Sequence, residues 1–356
     1  MRLLKELKKL LINIERGKIM QEVKINDFTT ESSKTFIIAE AGSNHGGNYE
    51  QAKELVDVAV EAGADAVKFQ SYEGESLVAS DHGAYDVLDK YGLPYEWHQK
   101  LEDYCDSKGI IFCSSPFDYE KLDWLEEVDV PFIKVASGDL TYLPFIKKIA
   151  ELGKPIVMST GMATLGEVEE SVNLIKAQGN EQIILLHCVG KYPTETDDAN
   201  LNVMNTMKEA LDLPVGFSDH TESTVIPAMA VSMGAKVIEK HFTLDKELDT
   251  PDHSFALSPN ELKEMISNIR LAEDIKGSKL KRPTQSEIES SRVTARRSIH
   301  TKVAINKGEK ITEDKLKVIR PAEGIEPAKL EEVLGCVVNK DLPAEATIKM
   351  SDIDWS

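Results

Sequence analysis

Between residue 36 and about residue 245 the chain alternates short apolar, β-branched runs with longer stretches whose apolar residues recur at i, i+3 and i+4. The strand-like runs are FIIAEAG (36–42), AVKFQS (66–71), IIFCSS (110–115), PFIKVAS (131–137), PIVMST (155–160), IILLHCV (183–189), VGFSDH (215–220) and KVIEKHF (236–242). Segments 51–63, 143–153 and 165–179 carry helical spacing and end in Gly63, Gly153 and Gly179, the residue type that commonly stops a helix. Near-continuous apolar strands alternating with helices predict a parallel sheet covered by helices. Eight such units in about 210 residues predict an α/β fold closed into a (β/α)8 TIM barrel rather than an open doubly wound sheet.

The flanks read differently. Residues 74–98 are irregular, hold Gly74, Gly83, Gly92 and Pro94, and follow the end of the second strand, where they are expected to form part of a functional rim. Residues 277–294 are polar and aperiodic, as a linker should be. Residues 295–356 show short alternating runs with Gly308 and Gly335 as turn markers, and read as a second, mostly β domain. The barrel is thus expected over 36–276, after an N-terminal extension of 1–35. Within residues 1–20, Leu3, Leu7, Leu10, Leu11 and Ile14 fall at helical spacing, while Lys5, Glu6, Lys8 and Lys9 break up what would be the apolar core of a signal peptide. An amphipathic docking helix and a dispensable extension ahead of Met20 both remain open.

Charge narrows the partners. With 42 basic against 61 acidic side chains the formal net charge is −19, which opposes binding to nucleic acid or to an anionic membrane. Neither is expected as a partner. The four cysteines (Cys105, Cys113, Cys188, Cys336) have no CxxC spacing, which fits a reducing cytoplasm. No apolar run approaches the roughly 18 residues of a membrane-spanning helix.

In a barrel of this kind the chemistry sits where the strands end. The eight ends carry Glu40, Lys68 with Gln70, Ser114 with Ser115, Lys134 with Ser137, Ser159 with Thr160, His187, Asp219 with His220, and Glu239 with Lys240 and His241. His220 and His241 end neighbouring strands, about 4.8 Å apart, so both imidazoles can reach one ion at roughly 2.1 Å. With Glu40, Asp219, Glu239 and Asp252 nearby, the pair suits Mn²⁺, Fe²⁺ or Zn²⁺ acting as a Lewis acid on a carbonyl. The alternative is a purely structural pair. Lys68 and Lys134, with Ser115, Ser137 and Ser159, offer the positive charge and hydroxyl donors that a phosphate or carboxylate needs. Gly138 and Gly161 allow backbone N–H groups close to such an anion. The chain has no Walker A motif, no GxGxxG and no Ser–His–Asp order.

Nine segments resemble the sialic acid synthase family: AEAGSNHGG (39–47), AVKFQS (66–71), SSPFD (114–118), KVASGD (134–139), STGMA (159–163), LHCVGKYPT (186–194), GFSDHT (216–221), EKHFT (239–243) and TPDHSFALSP (250–259). Segments 295–312 (ARRSIHTKVAINKGEKIT) and 318–327 (VIRPAEGIEP) resemble that family's antifreeze-like (SAF) module. The resemblance runs in order over about residues 36–352. It implies condensation of phosphoenolpyruvate with an N-acylated aminohexose, giving a nine-carbon 2-keto acid and phosphate. It implies a divalent metal on His220 and His241, Mn²⁺ first, with Mg²⁺, Fe²⁺ or Co²⁺ as alternatives. Lys68, Ser115, Lys134, Ser137 and Ser159 would hold phosphoenolpyruvate, Glu40 and Glu239 would lie near the reacting carbons, and Tyr192 and Asp252 would contact the sugar. Arg320 would reach a neighbouring subunit's substrate, which implies a domain-swapped homodimer.

Three positions depart from the family pattern: Gly190 replaces an Asn, Thr250 replaces the Gly of Gly-Pro-Asp-His, and Ala322 replaces the Gly of Arg-Pro-Gly. Segment 72–98 also matches poorly. N-acetylmannosamine is the first substrate expected, giving N-acetylneuraminate. A legionaminic, pseudaminic or spore-coat sugar synthase is the nearest alternative, followed by a metal-dependent hydrolase or lyase on the same barrel and by an inactive scaffold.

Overall fold

The computed structural model describes residues 21–248 and 252–355. The expectation of a helix within residues 1–20 lies outside the described residues. The chain divides into two compact units, 1–277 and 278–356.

The first unit is the expected barrel. Its strands are β1 (Phe36–Gly42), β2 (Ala66–Ser71), β3 (Ile111–Pro116), β4 (Ile133–Val135), β5 (Ile156–Ser159), β6 (Ile183–Cys188), β7 (Val215–Asp219) and β8 (Val237–His241). They form one sheet in the order β3-β2-β1-β8-β7-β6-β5-β4, with every ladder parallel. The first strand pairs with the last, Phe36 to Val237 through Glu40 to His241. Strands β3 and β4 lie side by side without a hydrogen-bonded ladder.

A principal helix follows each strand: α1 (Tyr49–Ala62), α2 (Tyr95–Lys108), α3 (Tyr119–Glu127), α4 (Leu143–Glu151), α5 (Leu165–Ala177), α6 (Asn202–Leu211), α7 (Ile226–Ser232) and α8 (Pro259–Lys276), with two shorter helices between β2 and α2. Their starts are chemically marked. Asn48 caps α1 by accepting from the Glu50 and Gln51 amides, and Thr164 with Glu167 forms a reciprocal cap on α5. Segment 74–98 is less irregular than its composition suggests, because Gly74–Leu77 and Tyr85–Tyr91 are helical.

The strand pleat sorts the side chains into two cores. Ile37, Ala39, Val67, Phe69, Ile133, Leu185, Phe217 and Ile238 face the helices and build the larger core. Phe36, Ile38, Ala66, Cys113, Phe132, Val157, Ile184, Leu186 and Val237 fill the lower lumen. Residues expected to be mere extension complete that lumen. Lys24–Ile25 and Phe28–Thr29 pair as a hairpin, and Val23, Ile25 and Phe28 pack onto Phe36 and Phe132 as a plug.

The second unit has β9 (Ser298–Thr301) paired with β10 (Leu316–Ile319) and β11 (Val337–Val338) paired with β12 (Ile353–Asp354), around a core of Ile299, Ile311, Ile325, Val333, Val338 and Ile348. The stretch read as a linker is partly helical, at Gln285–Ser290 and Arg292–Ala295, because Thr284 and Glu287 form a reciprocal cap.

Tight lumen packing makes a prediction. A Cβ on Gly216 would run into the Val237 carbonyl and lie 2.7 Å from Leu186 Cδ2. Gly216→Ala is expected to lower the unfolding free energy by about 1–3 kcal/mol, read from urea denaturation; an unchanged midpoint would show slack in the lumen.

Candidate active site

Above the apolar lower lumen, the same inward pleat positions turn polar. Glu40, Lys68, Ser115, Lys134, Ser159, Ser218 and Glu239 are all buried there. Glu239 sits between two lysines: its Oε1 is 3.4 Å from Lys134 Nζ and its Oε2 is 3.7 Å from Lys68 Nζ. Ser218 Oγ donates to Glu239 Oε1 at 2.9 Å. Lys68 pairs with Glu40 and donates to Ser115 Oγ at 3.2 Å, while Lys134 donates to Ser159 Oγ at 2.8 Å and to the Val135 carbonyl at 3.1 Å. Ser137 lies beside this group and accepts from the Gly161 amide at 3.0 Å.

Burial acts on each charge, and the neighbours decide the outcome. Burial would raise Glu239, but Lys134 and Lys68 reverse it and hold the carboxyl below its ordinary range. Burial would lower Lys68, yet Glu239 and Glu40 hold it above the ordinary lysine value. Lys134 is lowered by burial, which Glu239 only partly offsets. Glu40 is pushed up to about 7 by burial, against the pull of Lys68. Lys68 is thereby held as a cation and Glu239 as an anion, while Glu40 is a carboxyl poised to exchange a proton near neutrality.

The second cluster is aromatic. The rings of His220 and His241 lie 5.4 Å apart between centroids, Tyr192 stands 4.0 Å from His220 and 6.1 Å from His241, and Phe255 lies 5.2 Å from both His241 and Tyr192. His220 Nδ1 is 2.8 Å from the Val189 carbonyl. A carbonyl only accepts, so Nδ1 carries the proton and Nε2 presents a lone pair. Burial holds both imidazoles neutral, His241 well below the usual histidine range. His241 Nδ1 is buried without a hydrogen-bond partner. Two neutral imidazoles, one with an orphaned ring nitrogen, fit a divalent transition ion with open positions. Among the described residues no group of three or more His, Cys, Asp or Glu is placed to hold a metal ion.

Gly42 joins the clusters. It has φ +53°, and a Cβ there would lie 2.8 Å from Asp252 Oδ2, 3.2 Å from Glu40 Oε1 and 3.6 Å from His241 Cε1. Ser43 Oγ donates to Asp252 Oδ2 at 3.2 Å and fixes that carboxylate at the same floor.

Most expected residues thus converge: Glu40, Lys68, Ser115, Lys134, Ser137, Ser159 and Glu239 around the lysines, and Tyr192, His220, His241 and Asp252 around the rings. Other strand-end residues point the other way: Thr160 reaches Met207 and His187 stacks on Phe217 in the outer core. Asp219 was expected beside the ion; its carboxylate instead pairs with Lys240 at 2.7 Å, because the pleat sends both behind the sheet. Ser114 bonds Ser71, which bonds His98, each at 2.7 Å. Arg320 belongs to the second unit, just after β10. Sequence reasoning also passed over Gly42, Ser218 and Asp139. Asp139 Oδ2 is buried and without a hydrogen-bond partner, and burial raises its carboxyl to about 7. The signal was the Ser-Gly-Asp that follows β4.

Comparison with known proteins decides the family. The NeuB family model matches residues 55–281, and the SAF domain model matches residues 296–354. This chain belongs to the NeuB family. An N,N'-diacetyllegionaminic acid synthase from Campylobacter jejuni is 40% identical over 332 residues, covering 89% of this chain and 99% of that protein. The human N-acetylneuraminate-9-phosphate synthase is 33% identical over 334 residues, covering 90% and 92%. The crystal structure of a sialic acid synthetase from Leptospira borgpetersenii superposes with a TM-score of 0.72 at 34% identity, over 76% of this chain and 95% of that one. The NeuB-family chain is accordingly an enzyme, a transferase that forms a carbon–carbon bond. Among its described residues no helix is long and apolar enough to cross a membrane.

Gly42 supplies a test of this geometry. Gly42→Ala is expected to cost about 1–2 kcal/mol from its left-handed backbone and to abolish most turnover by displacing Asp252. Gly63→Ala, also at positive φ but with its nearest neighbour 3.9 Å away, should cost stability alone. Equal turnover in the two variants would contradict the placement of Gly42 at the floor.

Proposed function

We propose that this enzyme condenses phosphoenolpyruvate with an N-acylated aminohexose and water, giving a nine-carbon 2-keto sugar acid and phosphate. The observation that carries the reading is the buried lysine pair held by one ionised glutamate. Phosphoenolpyruvate is a compact polyanion with a phosphate and a carboxylate, and Lys68 with Ser115 and Lys134 with Ser159 form two cation–hydroxyl pairs suited to them.

C3 of the enol attacks the open-chain aldehyde, forming the new carbon–carbon bond. Glu40 in its protonated form delivers a proton to the aldehyde oxygen. The resulting carboxylate then takes a proton from the water that adds at C2, and cleavage of the C2–O bond releases phosphate. A pKa near 7 lets one carboxyl serve both directions. A divalent ion, Mn²⁺ in this proposal, held by His220 and His241 would supply Lewis acidity at the aldehyde. Tyr192 and Asp252 flank the same place and serve the sugar. In a homodimer, Arg320 would serve the acyl group of a neighbouring subunit's substrate.

The sugar is narrowed by likeness. The legionaminic relative stands at 40% identity and the neuraminate-9-phosphate relative at 33%, and Gly190 departs from the neuraminate pattern. A 6-deoxy diacetamido hexose therefore ranks ahead of the N-acetylmannosamine first expected. The test is phosphate release from phosphoenolpyruvate with Mn²⁺ and each sugar. Release should depend on both sugar and metal, and should fall at least about 100-fold in His220→Ala, the rate equivalent of ~3 kcal/mol. Turnover of a sugar without phosphoenolpyruvate would replace the synthase by a hydrolase or lyase.

A further inference from the structure

The outer face of the barrel sheet carries a few buried polar side chains near its top, among them Ser71, Ser114 and His187, and near the top of β7 and β8 it carries a charged pair. There Lys240 and Asp219, cross-strand neighbours in register, form an ion pair of 2.7 Å with side chains 1% and 0% exposed. Each then ties down the turn that follows β7. Asp219 Oδ1 accepts from the Thr221 amide at 2.9 Å, Asp219 Oδ2 accepts from Thr221 Oγ1 at 3.0 Å, and Lys240 Nζ also donates to the Thr221 carbonyl. His220 is the residue enclosed by this clamp, and His241 is the next residue after Lys240. A buried ion pair is a poor source of stability, since desolvation offsets most of its attraction. Apolar residues of similar size would close this face as well.

We infer that Asp219 and Lys240 are positioning residues for a divalent metal: from behind the sheet they lock the turn carrying His220 to the strand carrying His241, and so fix the spacing of the two imidazoles. The inference rests on the metal reading given above. The inward His220 ring has its own restraint, the Val189 carbonyl at Nδ1, but that bond sets only ring rotation. The clamp bears on the relative placement of the two Cα positions, beside the β7–β8 ladder and the Thr194 amide that donates to the His220 carbonyl at 2.8 Å, and outer-shell partners of metal-binding histidines typically contribute 10–100-fold to affinity.

The test is titration of the full chain with Mn²⁺, following free Mn²⁺ by electron paramagnetic resonance, together with thermal melts without metal. The variants are Lys240→Met and the charge-free double variant Asp219→Leu with Lys240→Met. Lys240→Met alone leaves a buried carboxylate unpaired and is expected to lower the melting temperature. The double variant removes both charges and should melt above Lys240→Met, though below the wild type because Thr221 loses its partners, and it should bind Mn²⁺ about 10–100-fold more weakly than the wild type. Wild-type affinity in a folded double variant would overturn the inference alone. No Mn²⁺ binding by the wild type would instead overturn the metal reading on which it stands.

Discussion

One carboxylate, Glu239, is shared by two lysines buried in the middle of the barrel, and a second, Glu40, pairs with one of them. Lys68 and Lys134 are 3% and 2% exposed, and an isolated ammonium so buried would shed its proton. Glu239 lies within ion-pair distance of both and is itself stabilised by Ser218. Everything else at the barrel mouth follows from that arrangement. Ser115 and Ser159 aim the two lysine ammonium groups, and Glu40 is pushed up to about 7 by its burial, with the Glu239 charge adding to the effect.

Such a group is costly to bury and contributes little to stability. It is tolerated because the rest of the barrel is well packed: an apolar lower lumen closed by the hairpin of residues 24–29, and a continuous outer core under eight helices. The rigid sheet also does what a loop cannot. Residues in register on neighbouring strands, Glu40 beside Lys68 and His241 beside Glu40, are held at fixed spacing before any substrate arrives, which is the form of preorganisation that stabilises developing charge most effectively.

Much of this was legible from period-two spacing. Glu40, Lys68, Lys134, Ser159 and Glu239 each fall two or four residues beyond a lumen-facing apolar residue, so a strand pattern alone puts them inside. The pattern also contained the error. Asp219 and Lys240 sit one position out of that phase, and grouping residues by strand end, not by pleat, placed Asp219 on the wrong side. The plug at Val23, Ile25 and Phe28 was hidden because a two-residue strand has no periodicity to read. Gly42 escaped notice for another reason: its role is an absent Cβ, which becomes visible only when Asp252, more than 200 residues away in sequence, is seen to fill the space.

If Lys68 and Lys134 bind a phosphate-bearing carboxylate, calorimetric titration of phosphoenolpyruvate into the metal-free wild type, Lys134→Met and Glu239→Gln will show it: binding by the wild type and a loss of at least about tenfold in Lys134→Met, equivalent to ~1.4 kcal/mol. A loss is expected in Glu239→Gln as well, because Lys134, already lowered by burial, then loses the carboxylate paired with it. Undiminished binding in Lys134→Met would contradict that role for the lysines.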